Sequence, residues 1–154
     1  MATYTDGNEN MGGVIQIEFA NIDEILDFPE IKYGSCISEI QFNEGNSFLD
    51  PLIVENKASF NSNSNDDDQG TLHPSVLSVI FPKYSKDILL SELFKSSLIA
   101  KVTFANGDKI IMGYPSHPLI VSYNADTGLK SPDFNHVVIS FSHSAPVPCP
   151  FYPF

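Results

Sequence analysis

The sequence predicts a mainly β protein, a β-sandwich or barrel with one flanking α-helix over about residues 85–97 and a long polar loop over residues 61–70. Three observations predict this class. Short stretches of alternating apolar and polar residues recur along the chain, turn-forming Gly, Pro and Asn residues separate them, and only one stretch has the apolar spacing of a helix. We count roughly seven or eight strands, and periodicity alone does not distinguish a sandwich from a barrel.

The length and composition of the chain predict one globular domain, because 42% of its 154 residues are apolar. We expect a flexible N-terminal arm over residues 1–13, a single β domain over residues 14–143, and an extended tail rich in Pro and aromatic residues over residues 144–154. The arm lacks the basic and apolar regions of a signal peptide, and no run of about 18 apolar residues suits a membrane span. We therefore expect a cytoplasmic protein with no membrane partner.

The first strand is predicted over residues 14–20, VIQIEFA, because apolar and polar side chains alternate there. The alternation places Ile15, Ile17 and Phe19 on one side and Val14, Gln16 and Glu18 on the other.

Residues 21–43 carry weaker signals of secondary structure. In residues 21–30, Asn21 is a candidate N-cap, acidic residues follow it and Pro29 is a stop, so at most two helical turns are predicted. A second strand is predicted over residues 35–43, where the alternation is imperfect.

The middle of the chain predicts an edge strand followed by an exposed segment. Residues 47–60 have β-type composition, interrupted by Pro51, which favours an edge or a bulge. Residues 61–70, NSNSNDDDQG, are polar without periodicity, so we expect the tip of a long hairpin or an exposed loop. Oxygen ligands are dense there, but the Gly and Glu spacing of an EF-hand loop is absent, so no metal is predicted.

A strand and the single helix are predicted next. Residues 71–81 have strand character and end at a proline. In the predicted helix, Ser85 is the cap, and one apolar face is expected to lie against a sheet. That face consists of Ile88, Leu89, Leu93 and Phe94.

The strongest local signal is the pair Asn106-Gly107 between two apolar stretches, residues 100–104 and 109–112. Asn-Gly tolerates the positive φ angles of a type I′ turn, so a β-hairpin is predicted. A further strand pair is predicted over residues 118–124 and 136–142, joined by a long polar loop.

The sequence does not predict an enzyme or a cofactor. The four histidines lack metal-ligand spacing, and Gly-rich phosphate loops and nucleophile elbows are absent. Cys36 and Cys149 lack the context of an activated thiolate, and in a reducing compartment we expect two free thiols. The three consecutive carboxylates at residues 66–68 are expected to form a solvated loop rather than an acid/base pair.

The charge balance argues against nucleic-acid binding. The chain carries 19 acidic and 8 basic residues, a net charge of −11, and no basic cluster. Affinity for nucleic acids comes mostly from cationic side chains that displace counterions, so DNA near this surface is repelled. The same acidity also keeps a protein soluble.

The last third of the chain carries a recognisable pattern. It runs through Gly113 and Pro115, then Asp126, Thr127 and Gly128, then Asp133 and Asn135, then Phe141, then Pro148, Pro150, Phe151 and Tyr152. This pattern resembles the C-terminal part of small structural tail proteins, of the tail tube type, of Bacteroidetes tailed phages and prophages, and residues 12–31 are similar in style to their N-termini. His136 stands where that pattern has a glycine.

The resemblance implies a virion structural protein, a tail tube subunit that self-assembles into stacked rings. Its implied partners are further copies of itself and other phage tail proteins, and DNA passes without binding through a lumen lined with carboxylates. The virion tail is assembled in the bacterial cytoplasm. The expected oligomer contacts are Pro148, Pro150, Phe151, Tyr152 and Phe154, and the expected inter-ring loop is Asn65, Asp66, Asp67 and Asp68.

Two alternatives stay open at this point. One is a tail terminator or a head-tail connector, which forms a single closed ring. The other is a monomeric β-sandwich binding module that uses residues 61–70 for a carbohydrate or a cation. Exposed aromatic side chains gain nothing from staying in water, so we expect the aromatic tail to pack on protein. Its partner is either its own domain or a neighbouring subunit.

Overall fold

The computed structural model of the protein describes residues 13–49, 51–54, 57–81, 97–126 and 136–154. The described part of the chain contains thirteen strands and one 3-10 turn, so the prediction of a mainly β protein is confirmed. The strands are β1 (Val14–Asn21), β2 (Ile25–Asp27), β3 (Ile31–Lys32), β4 (Ser35–Cys36), β5 (Gln41–Phe42), β6 (Leu52–Ile53), β7 (Ala58–Ser62), β8 (Asn65–Asp67), β9 (Gly70–Phe81), β10 (Leu98–Phe104), β11 (Lys109–Met112), β12 (Ile120–Asp126) and β13 (His136–Ala145).

Two antiparallel sheets contain the long strands. The first sheet has the order β11-β10-β1-β6, and the second has the order β12-β13-β9-β7, with β8 also paired to β9. The inner faces of the two sheets share one hydrophobic core. The ring of Phe19 in the first sheet lies 4.9 Å from that of Phe141 in the second, and Phe60 and Phe104 make a similar contact at 5.8 Å. The arrangement is therefore sandwich-like.

A third layer covers the outer face of the first sheet. Ala20, Ile99 and Ile111 point away from the shared core and form a second buried cluster. Side chains from the segment between β1 and β6, together with Tyr152 of the tail, pack on this cluster. The first sheet is consequently buried on both faces.

A β-bulge changes the predicted alternation at the start of β1. Val14 pairs with Phe104 and Gln16 pairs with Thr103, so Ile15 is the extra residue. The bulge brings Val14 onto the core face beside Ile17, where it is buried. The prediction that Val14 shares a side with the polar residues of this strand is therefore wrong.

The segment after β1 is less regular than predicted. Asn21 caps a single 3-10 turn, Ile22–Glu24, because its side-chain oxygen accepts a hydrogen bond from the Asp23 N–H at 3.0 Å. The predicted strand over residues 35–43 is wrong, since only β4 and β5 are extended there. These two strands pair with different partners, β3 and β2, because the chain turns to follow the outer face of the first sheet.

The hairpin at Asn106-Gly107 is confirmed, although its turn type is not. Gly107 has a φ of +93°, whereas Asn106 does not have a positive φ. The Gly107 N–H donates to Phe104 O at 2.9 Å and the Phe104 N–H donates to Asp108 O at 2.8 Å. This is the three-residue loop in which a type I turn precedes one left-handed residue.

The remaining predictions fall partly outside the described residues. The strand pair at the C-terminal end is confirmed by β12 and β13, and the loop between them lies outside the described residues. The predicted helix also lies outside them except for Ser97, so it stays a prediction. Only Gly13 of the predicted arm is described.

Candidate assembly surfaces

The backbone of the C-terminal tail pairs with its own domain through isolated β-bridges. Its backbone lies between β11 and β4, where Phe151 makes bridges with Ser35 on one side and Ile110 on the other. The tail makes four backbone hydrogen bonds there, namely Ile111 N to Pro150 O at 2.9 Å, Tyr152 N to Lys109 O at 2.8 Å, Cys36 N to Phe151 O at 2.8 Å and Phe151 N to Gly34 O at 2.8 Å. The tail therefore fills the edge of the first sheet beside β11.

The five predicted oligomer contacts divide into two groups. Pro150 and Tyr152 are buried in the subunit itself, and the Tyr152 hydroxyl accepts a hydrogen bond from the Ile40 N–H at 3.1 Å. Pro148, Phe151 and Phe154 are exposed, the last two at 49% and 40%. The exposed group is still accessible to a neighbour, and its role in assembly stays a prediction.

Lys101 anchors the tail, which the sequence did not indicate. Its ammonium forms an ion pair with Glu18 at 3.1 Å and lies 4.5 Å from the ring centre of Phe48 and 5.7 Å from that of Tyr152. A cation over an aromatic face is attracted by the electron-rich ring. The only signal in the sequence is that lysine interrupts an apolar strand, and that signal does not identify its aromatic partners.

The polar segment over residues 61–70 is the tip of a long hairpin, one of its two predicted forms. The prediction of a long loop there is wrong, because β7 extends to Ser62, β8 covers Asn65–Asp67 and β9 begins at Gly70. β8 continues the pairing of β9 beyond the last residue of β13, and residues 61–72 are all exposed. The hydroxyl of Thr71 donates to Asp66, and the Gln69 N–H donates to Asp67 at 2.7 Å. All four predicted inter-ring residues, Asn65, Asp66, Asp67 and Asp68, thus lie on a projection with fixed local hydrogen bonds.

The second sheet has two open edges. β12 pairs only with β13, and β7 pairs only with β9, within the described part of the chain. Residues 120–125 of β12 and all of β7 are uncharged and contain no proline, although Asp126 ends β12 and Lys57 directly precedes β7. Natural proteins usually protect an exposed edge with one of these features, because free backbone groups pair with another chain.

The outer face of the second sheet is uncovered by described residues and carries short side chains. The strand register aligns four serines in one row across the sheet, and aliphatic residues lie in the rows beside it. The serines are Ser122, Ser140, Ser78 and Ser59, and the aliphatic neighbours are Val138, Ile80, Val76 and Ile120. A face of hydroxyl and aliphatic groups allows another surface to approach closely.

A group of polar side chains lies at one end of the sandwich, near the start of the tail. The Cys149 thiol donates to the Ser75 hydroxyl at 3.4 Å, and the ring of Tyr114 lies 5.4 Å from that of His143. Burial raises the pKa of the Cys149 thiol, and the predicted free state of Cys36 and Cys149 is confirmed. A raised pKa keeps the thiol protonated, whereas an activated nucleophile needs a lowered one.

No group of three His, Cys, Asp or Glu side chains in the described residues is placed to hold a metal ion.

The stability of the protein is expected to fall as the pH drops below about 6.5, because His143 is buried. Burial lowers the pKa of His143 from 6.5, and the nearby His117 lowers it further. Between pH 6.5 and that lowered pKa, the unfolded chain takes up a proton that the folded chain does not. This difference contributes at most about 1.4 kcal/mol per pH unit.

Urea denaturation followed by circular dichroism at pH 7.5, 6.5 and 5.5 measures this loss. The matched control is His143→Gln, which removes the titrating group and is expected to reduce the difference between pH 7.5 and pH 5.5 whatever its own stability. An equal pH dependence in both proteins would show that His143 is not responsible.

Comparison with known proteins gives no relative of this chain. Neither the protein-family models nor the curated proteins nor the solved structures contain a match. Among the described residues, no helix has the length and apolar character needed to cross a membrane.

Proposed function

We propose that this protein is a structural subunit that assembles with copies of itself into rings, and that the rings stack into the tail tube of a tailed bacteriophage. The observation that carries the proposal is the pair of edges on the second sheet that are open in the described part of the chain and carry charge only at or beside their ends. A globular protein that remained monomeric would expose two aggregation-prone edges, whereas a closed ring leaves none.

The strand directions support pairing between the two edges. β12 and β9 are both antiparallel to β13, so they run in the same direction. β7 is antiparallel to β9, so it runs opposite to β12. Copies related by rotation about an axis parallel to the strands keep these directions, so β12 of one subunit lies beside β7 of the next in antiparallel orientation. Each contact continues the sheet, and closure of the ring pairs every edge.

The edges of the first sheet are less suited to this contact. The edge at β11 is occupied by the tail backbone at Phe151. The opposite edge is β6, which has two residues and follows Pro51. A short edge next to a proline resists pairing with another chain. The second sheet is consequently the expected site of ring formation.

The acidity of the chain supports the passage of DNA without binding. A net charge of −11 on every subunit repels phosphates along the tube. The described outer face of the second sheet carries hydroxyl and aliphatic groups in its serine row and the rows beside it.

Negative-stain electron microscopy and light scattering of the purified protein at high concentration test the proposal. Stacked rings of constant diameter are the expected result. A single closed ring that does not stack would instead indicate a tail terminator or a head-tail connector, and a monomer at all concentrations would contradict self-assembly.

An edge variant makes this test specific. Ser122→Lys places a charge on β12 and is expected to leave a folded protein that no longer forms rings, because an edge lysine opposes pairing. The matched control is Ser116→Lys, the same change at an exposed serine away from the sheet edges. Assembly of both variants as in the wild type would show that β12 is not the contact.

A further inference from the structure

The hairpin tip and a groove on the outer face of the second sheet lie at opposite ends of the same strand. The groove has a volume of about 320 Å³ and is lined by Lys57, Ala58, Ser59, Ser78, Ile80 and Val138. Ile80 is ten residues along β9 from Gly70, where the hairpin tip turns. At a rise of about 3.3 Å per residue, the groove and the tip are about 33 Å apart. One molecule therefore does not bring its own tip into its own groove.

The groove and the tip have complementary charges. Lys57 is exposed, and among the described residues of the lining it is the only charged side chain. The described residues contain three other lysines. Lys101 pairs with Glu18, and Lys109 donates to Phe154 O at 3.1 Å. Lys32 lies in β3, which belongs to the third layer on the outer face of the first sheet. The tip presents Asp66, Asp67 and Asp68 in succession.

The groove also contains apolar and hydrogen-bonding groups that can contact the tip. Ile80 and Val138 give it an apolar surface, and the hydroxyls of Ser59 and Ser78 give it hydrogen-bonding groups. Leu72, which pairs with Asn65 at the tip, is 43% exposed and is available for apolar contact. The tip is already ordered by its own hydrogen bonds, so little conformational entropy is lost when it docks.

We propose that the groove around Lys57 binds the acidic hairpin tip of a second copy of this chain, stacked along the strand direction. Because the two surfaces are different and lie at opposite ends, the contact is heterologous and repeats from copy to copy. It joins one ring to the next, while the open edges of the second sheet join subunits within a ring. This inference rests on the proposed self-assembly and identifies its stacking contact.

A charge exchange between the two surfaces tests the inference. Lys57→Glu is expected to leave rings that stack at least tenfold less, measured as tube length by electron microscopy and as light scattering. Asp66→Lys combined with Asp67→Lys is expected to have the same effect. The variant that carries all three changes restores the opposite charges and is expected to restore stacking. The matched control is Lys32→Glu, an identical change at an exposed lysine away from the groove.

The possible results separate this inference from the proposed function. Rings that fail to stack in the single-surface variants and stack again in the combined variant support it. Normal tubes from Lys57→Glu would overturn it while leaving ring assembly intact, and a combined variant that fails to stack would also overturn it. A wild-type protein that forms no rings would contradict the proposed function itself.

Discussion

Removal of residues 145–154 is expected to unfold the protein and not only to prevent its assembly. The deleted segment makes two backbone hydrogen bonds to β11 and two to Gly34 and Cys36, and it contains the buried residues Pro150 and Tyr152. Without it, Ile40 and Ile111 of the second buried cluster lose their cover. These contacts together contribute about 5 to 8 kcal/mol, which is comparable to the total stability of a typical domain.

Circular dichroism and a thermal melt of the truncated protein measure this effect. Phe151→Ala is the matched control, because it keeps the tail backbone in place and removes a side chain that is 49% exposed. We expect the control to melt close to the wild type and the truncated protein to show no cooperative transition. A truncated protein that is folded but does not assemble would instead show that the tail acts mainly on a neighbouring subunit.

Phe141→Ala is expected to lower the free energy of unfolding by about 3 to 5 kcal/mol. Phe141 is completely buried in β13, and its ring lies 4.9 Å from that of Phe19 across the two sheets. Alanine removes this contact and leaves a cavity between layers that are held apart by their neighbours, so the cavity closes only in part.

Urea denaturation of the wild type and of the variant measures the difference. Phe151→Ala again serves as the control, since it is the same substitution at an exposed phenylalanine of the same domain. We expect the control to change the free energy of unfolding by less than about 1 kcal/mol. A loss at Phe141 no larger than that of the control would indicate that the two sheets do not share one core.

Local sequence patterns predicted the long strands well. The alternation in β9, in β13 and in the part of β1 that follows its bulge agrees with the faces that these strands bury, and the Asn106-Gly107 pair marks a real hairpin. These signals work because a half-buried strand needs side chains of opposite character on its two faces. The turn type was wrong because hairpins with two and three loop residues both accept Asn-Gly, and the choice depends on how the flanking strands twist.

The third layer was predicted poorly, because its side chains are buried against a sheet that is formed by distant parts of the chain. Ile40 and Tyr152 are 112 positions apart in the sequence and joined by a hydrogen bond. Such a segment has no regular apolar periodicity, because its backbone hydrogen bonds are made with several different partners. The same reason explains why the strand expected over residues 35–43 is divided.

The candidate assembly surfaces were also predicted only in part from the sequence. The sequence alone determined that the chain is acidic, that it is mainly β, that residues 61–70 are exposed, and that the tail packs against protein. Only the tertiary structure decided that the tail packs on its own domain, that Lys101 holds it, and which sheet has open edges. Charge and exposure follow from the side chains present at each position. Edges, grooves and docking partners depend on which strands lie side by side, and long-range pairing sets that order.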